Sequence, residues 1–175
     1  MQQCSERVIT DALKEKVFEA IERTEHLVAL VPADRLNWAP EFLGGNALPQ
    51  DLGHMLGHLL DCLAGFCAVF AAGFPEELAE FQQLRAVPVN QFCLPVEAGQ
   101  GLHMFAEHIG RGFQRCTDAD LVRRIPTVFA SQGETLLTLL LGNFEHLTNH
   151  KYQLFLYLKL AGVAVASRDI YHFRE

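Results

Sequence analysis

The chain has 175 residues, half of them hydrophobic, with a net charge of -7 and a pI near 5.6. That length fits one domain over residues 1–175 whose single core needs no disulfide or metal staple. The acidic balance, with Arg123-Arg124 as the one adjacent basic pair, argues against nucleic-acid binding, which needs a basic surface to neutralise phosphate.

No run of about 18 apolar residues free of charged or polar breaks is evident, so no membrane span is expected. The amino terminus, Met1-Gln-Gln-Cys-Ser-Glu-Arg7, runs into a charged helical pattern without the apolar stretch of a secretory signal. It points to a cytoplasmic protein. The five cysteines form no CxxC pair. Cys62, Cys67 and Cys116 fall on apolar helical faces, where a free thiol behaves as a small, inert hydrophobe.

Prolines divide the rest. All seven (Pro32, Pro40, Pro49, Pro75, Pro88, Pro95 and Pro126) fall outside four long segments with helical periodicity, and an interior proline costs a helix about 3 kcal/mol. The first segment runs from about Ser5, a candidate N-cap, to Val31, with Ile9, Leu13, Val17, Ala20, Ile21, Leu27 and Val28 as its apolar stripe. A loop through Leu36-Asn-Trp-Ala-Pro40 and Gly44-Gly45 follows.

The second helix is expected from near Pro49 to about Ala72, with Gly73 ending it. Its buried stripe is Leu52, Met55, Leu56, Leu59, Leu63, Phe66 and Phe70. Residues 74–95 form a long connection with room for a short helix around Glu76 to Leu84. This crossover either sets the third helix beside the second or carries it across the bundle.

The third helix spans about Val96 to Cys116, weakened at its start by Gly99 and Gly101. Leu102, Phe105, Ile109, Phe113 and Cys116 face inward. After a connection with a short extended piece in Val122 to Phe129, the fourth helix runs from Ser131–Glu134 to Ala161, closed by Gly162. Its Leu136 to Leu141 run is apolar nearly all round, which marks a central helix. The expected fold is all-α, a four-helix bundle with a long crossover connection.

The chemistry concentrates on the fourth helix. His146 and His150 stand one turn apart on the same face, a spacing that lets two neutral imidazoles chelate one transition-metal ion. Leu139, Asn143, His146, His150, Gln153 and Tyr157 make one stripe, and its buried polar groups need partners. A metal ion with supporting hydrogen bonds from Asn143 and Gln153 satisfies them together; a solvated polar face or two ordinary core histidines is the alternative. A zinc-protease motif is excluded, because Leu147 stands where that motif needs glutamate.

A two-histidine site is incomplete, so a third ligand should come from a facing helix. The second helix offers His54 and His58. His58, beside Met55, Leu59 and Cys62, lies nearer the buried stripe and is the better third ligand. His54, beside Asp51, is an extra ligand, a supporting base or an exposed residue. His54 and Asp51 are also the available, though weak, candidates for a catalytic base. His103 and Glu107 read as a surface pair, and His26 and His172 have no partner at helical spacing.

These motifs together resemble the DinB/YfiT-like superfamily. Leu36-Asn-Trp-Ala-Pro40 is similar to its aromatic loop after the first helix. Asp51-Leu-Gly-His-Met-Leu-Gly-His58-Leu is similar to its second-helix motif, with Leu52, Met55 and Leu56 at the apolar positions before the liganding histidine. His146-Leu-Thr-Asn-His150-Lys-Tyr-Gln153-Leu matches two histidines followed by a glutamine, with Lys151 and Tyr152 where the family usually carries Arg-Gly. Leu160 to Asp169 is similar to its closing segment.

The resemblance implies a four-helix bundle with a long crossover, homodimerisation, and a metal site formed by His58, His146 and His150. It implies zinc, nickel, iron or manganese as the ion, a small-molecule substrate, and possible use of a low-molecular-weight thiol. Related activities are thiol S-transfer, thiol-dependent isomerisation and hydrolysis. The rival expectation is a non-catalytic binding or interaction bundle whose metal is structural or absent; a haem or small-ligand carrier is a third.

Overall fold

The computed structural model describes residues 7–40, 50–126 and 132–171. Cys4, Ser5 as an N-cap, Gly44-Gly45, Pro49, Phe129, Ser131 and His172 lie outside them. Four long helices dominate: α1 (Val8–Ala29), α2 (Leu52–Gly73), α3 (Pro95–Arg115) and α5 (Leu136–Leu160). Two short helices, α4 (Asp118–Leu121) and α6 (Ser167–Tyr171), have no counterpart in the sequence reading; the short extended piece expected in Val122 to Phe129 is Arg124–Ile125, which pairs antiparallel with Glu134–Thr135. The short helix expected near Glu76 is a 3-10 helix at Ala79–Ala86.

Helix α2 packs against α3 and α5, and α1 packs against the same two, so α1 and α2 sit across one diagonal. Direction follows from which residues meet. Gly101 lies against Leu60 and Gly112 against Phe70, so α2 and α3 run parallel. Gly65 lies against Asn143 and Gly73 against Leu136, so α2 and α5 run antiparallel. Parallel neighbours need a return along the bundle, and residues 74–94 supply it. The crossover therefore sets α3 beside α2.

The expected stripes of α2 and α3 are buried throughout. On α1, Leu13 is half-buried and Ile9 faces solvent, at 57% exposure. The inward place in that turn belongs to Thr10, whose amide and hydroxyl both donate to Asp118 at 2.8 Å. Nor is α5 encircled: Leu141, Leu156 and Leu160 face solvent, as one wall of a four-helix ring requires. Helix α2 is long and apolar enough to cross a membrane by length and composition alone, with a mean hydropathy of 1.8 over its most apolar window, although His54, His58 and Asp61 interrupt it. Its apolar stripe is spent on the other helices.

The start of α2 is held tightly. Leu52 and Gly53 donate their amides to the carbonyls of Trp38 and Leu36, and Asp51 accepts from the His54 amide at 2.8 Å. Three of the amides that a helix start leaves unpaired are thereby satisfied. The returning crossover then lies directly on α2, with Asn90 donating to the Gly57 carbonyl at 2.9 Å and Cys93 to that of Gly53 at 3.0 Å. This approach requires glycine: a Cβ at Gly57 would collide with the Gln91 carbonyl, and one at Gly53 with the Phe92 ring.

Gly57→Ala should cost about 1–3 kcal/mol, as overpacking against backbone does. Urea unfolding measures this, and wild-type stability in that variant would contradict the packing described.

Candidate metal centre

His58 lies two turns into α2, one turn after His54. His146 and His150 lie one turn apart on α5, which runs antiparallel beside α2. The three imidazoles meet between the helices. Ring centroids are 4.2 Å apart for His58 and His150, 4.8 Å for His146 and His150, and 5.3 Å for His58 and His146. Cys62, one turn beyond His58, joins them, so that one donor atom from each of His58, Cys62, His146 and His150 falls within 4.8 Å of the others.

Hydrogen bonds fix two of the rings. His58 donates through Nδ1 to Oδ1 of Asn90 at 2.9 Å, and His150 donates through Nδ1 to Oε1 of Gln153 at 2.9 Å. The Gln153 amide nitrogen donates in turn to the Tyr157 hydroxyl at 3.2 Å, which sets the amide's orientation. Trp38 packs edge-on against Tyr157, tying the aromatic loop to the same chain of contacts.

With both Nδ1 atoms donating, Nε2 is the nitrogen that either ring can offer to a cation. Those two atoms stand 3.0 Å apart. Facing lone pairs at that separation repel unless a proton or a cation is shared between them. Liganding histidines commonly donate their second nitrogen to an oxygen acceptor, as both rings do here.

At His150 the surroundings favour the neutral imidazole. Burial holds the His150 pKa below its ordinary 6.5, opposed by the Gln153 bond and reinforced by His58 and His146. Burial likewise pushes the Cys62 thiol up to about 12, with the Asp61 carboxylate adding to it.

Not every expected residue enters the cluster. His54 is half exposed and spends its Nδ1 on Asp51 at 2.8 Å, so the two candidates for a base cap the helix and hold each other. Asn143 donates to the Leu139 carbonyl at 3.0 Å and touches no clustered ring through a hydrogen bond; it lines a cavity of about 670 Å³ together with His146. Asp61, Gly65, Phe81 and Arg85 line the same cavity. His103 and Glu107 form an exposed pair, and His26 bonds Asp169 at 3.0 Å across 143 residues of sequence.

Two residues of the site were missed from sequence. Asn90 lies 32 residues from His58, in a crossover whose path no periodicity reveals. Its left-handed backbone, φ 57°, is one asparagine tolerates. Cys62 is buried as the sequence leads one to expect, and its i+4 spacing from His58 is the signal that it also stands beside the histidine cluster.

The fold is that of the DinB-like proteins. The structure matches the crystal structure of a DinB-like protein from Bacillus subtilis (YjoA) with a TM-score of 0.64, covering 86% of this chain and 92% of that one at 18% identity. No family model matches the sequence, and no curated protein matches it significantly. The likeness is therefore one of fold, and the His/Cys cluster is a feature of this chain that could hold a metal ion.

Asn90→Ala should weaken metal binding by about 10–100-fold, the usual cost of removing a hydrogen-bond partner from a liganding histidine. Calorimetric titration with zinc measures it, and an unchanged Kd would show that Asn90 does not orient His58.

Proposed function

We propose that the protein is a metal-dependent enzyme acting on a small molecule, with His58, His146 and His150 holding one divalent transition-metal ion. The observation that carries this reading is the 3.0 Å approach of two bare imidazole nitrogens whose other nitrogens are both committed to amide oxygens. Three neutral imidazoles suit zinc, nickel or iron, and manganese less well. A bound ion would supply Lewis acidity, lowering the pKa of a coordinated water or thiol toward neutrality.

The chain's own residues do the rest. Asn90 and Gln153 hold the rings in the tautomer that presents Nε2. The cavity beside His146 is large enough for a small molecule, and Asp61 and Arg85 give its lining both charge signs. The substrate class is a low-molecular-weight thiol or its conjugate, undergoing transfer or isomerisation rather than hydrolysis. Support for that class is the resemblance of the second- and fourth-helix motifs to DinB/YfiT-like sequences.

One observation favours the rival, a non-catalytic binding bundle. His54 and Asp51 are bonded to each other at the helix start, which leaves neither as a ready base.

Protein purified without a histidine tag should carry close to one metal ion per chain, and His58→Ala and His146→Ala should each abolish it. Unchanged metal in both variants would remove the proposed centre. Glutathione, bacillithiol and mycothiol conjugates then separate the readings: metal-dependent turnover of one supports the enzyme, and none with a loaded site favours the binding bundle.

A further inference from the structure

We propose that Cys62 is the fourth protein donor of the metal centre, making it a three-imidazole, one-thiolate site in which the sulfur holds the position that an incoming small-molecule thiol would take. The inference rests on the three-histidine reading above and goes beyond it.

The geometry is that of two i,i+4 pairs on facing helices: His58 and Cys62 from α2, His146 and His150 from α5. Residues four apart share a helix face, so antiparallel α2 and α5 present two donors each to the same space. The donor atoms lie within 4.8 Å of one another, close enough for small rotamer changes to bring all four to one ion. Cys62 is wholly buried and reaches that space from inside the bundle.

Among the described residues, no rival donor lies at the same point. Asp61 approaches the Nδ1 edge of His58, at 4.0 Å, the edge already bonded to Asn90. Cys67 turns its sulfur toward the Phe105 carbonyl, and Cys93 and Cys116 stand outside the cluster.

A thiolate donor changes what the site selects. Soft sulfur with imidazole favours zinc or cobalt and disfavours manganese, a hard ion that prefers oxygen. Cys62 would bind as thiolate, its proton passing to solvent as the metal enters. A small-molecule thiol would then compete with Cys62 for the ion.

Cobalt(II) titration of the metal-free, full-length protein tests this by absorption. Wild type should show tetrahedral cobalt bands together with a thiolate-to-cobalt charge-transfer band in the near ultraviolet. Cys62→Ser should lose the charge-transfer band and bind cobalt at least about tenfold more weakly, with its helical circular dichroism retained; Cys67→Ser should keep both. If Cys62→Ser does not fold, a protein retaining Cys62 as its one cysteine must keep the band. Cobalt bound by wild type without that band, or a band that survives Cys62→Ser, overturns the role of Cys62 and leaves the three imidazoles standing. No cobalt binding by wild type overturns the three-imidazole reading itself.

Discussion

The approach of His58 to His150 is the constraint around which the molecule is arranged. Two imidazole nitrogens 3.0 Å apart are held together by a shared proton or cation, because bare lone pairs at that distance repel. Both rings are locked from behind, one by Asn90 and the other by Gln153. Hydrogen bonds from behind that orient two rings toward one point are what a cluster that could hold a metal ion requires.

The topology makes the locking possible. Parallel α2 and α3 force a long return, and that return passes over α2 on the face that carries Gly53 and Gly57. Small residues there let backbone meet backbone, and the close path delivers Asn90 to His58. On the other side, the aromatic loop reaches the same site through Trp38, Tyr157 and Gln153. Local choices, two glycines and one asparagine, thus set the position of a ring on another element.

Much of this was legible beforehand. Proline placement separated the four long helices, and periodicity found the stripes of α2 and α3. The spacing of His146, His150 and Gln153 put three interacting residues on one face of α5. What periodicity could not convey was any partner made distant in sequence by the fold. Asn90 reaches His58 across the crossover, and Asp118 bonds Thr10 across 108 residues, which is why Ile9 turned outward instead of in. Cys62 was hidden differently. A buried cysteine on an apolar stripe has the same pattern whether it packs or ligates, and only the arrival of α5 shows that two histidines stand beside it.

X-ray absorption at the zinc edge of the loaded protein tests the central claim most directly, because it counts donors around the ion itself. Convergence of the two helices on one metal predicts a four-coordinate shell of three imidazole nitrogens at about 2.0–2.1 Å, with a sulfur at about 2.3 Å if Cys62 takes part. A shell of oxygens without the outer-ring scattering of imidazole would contradict it.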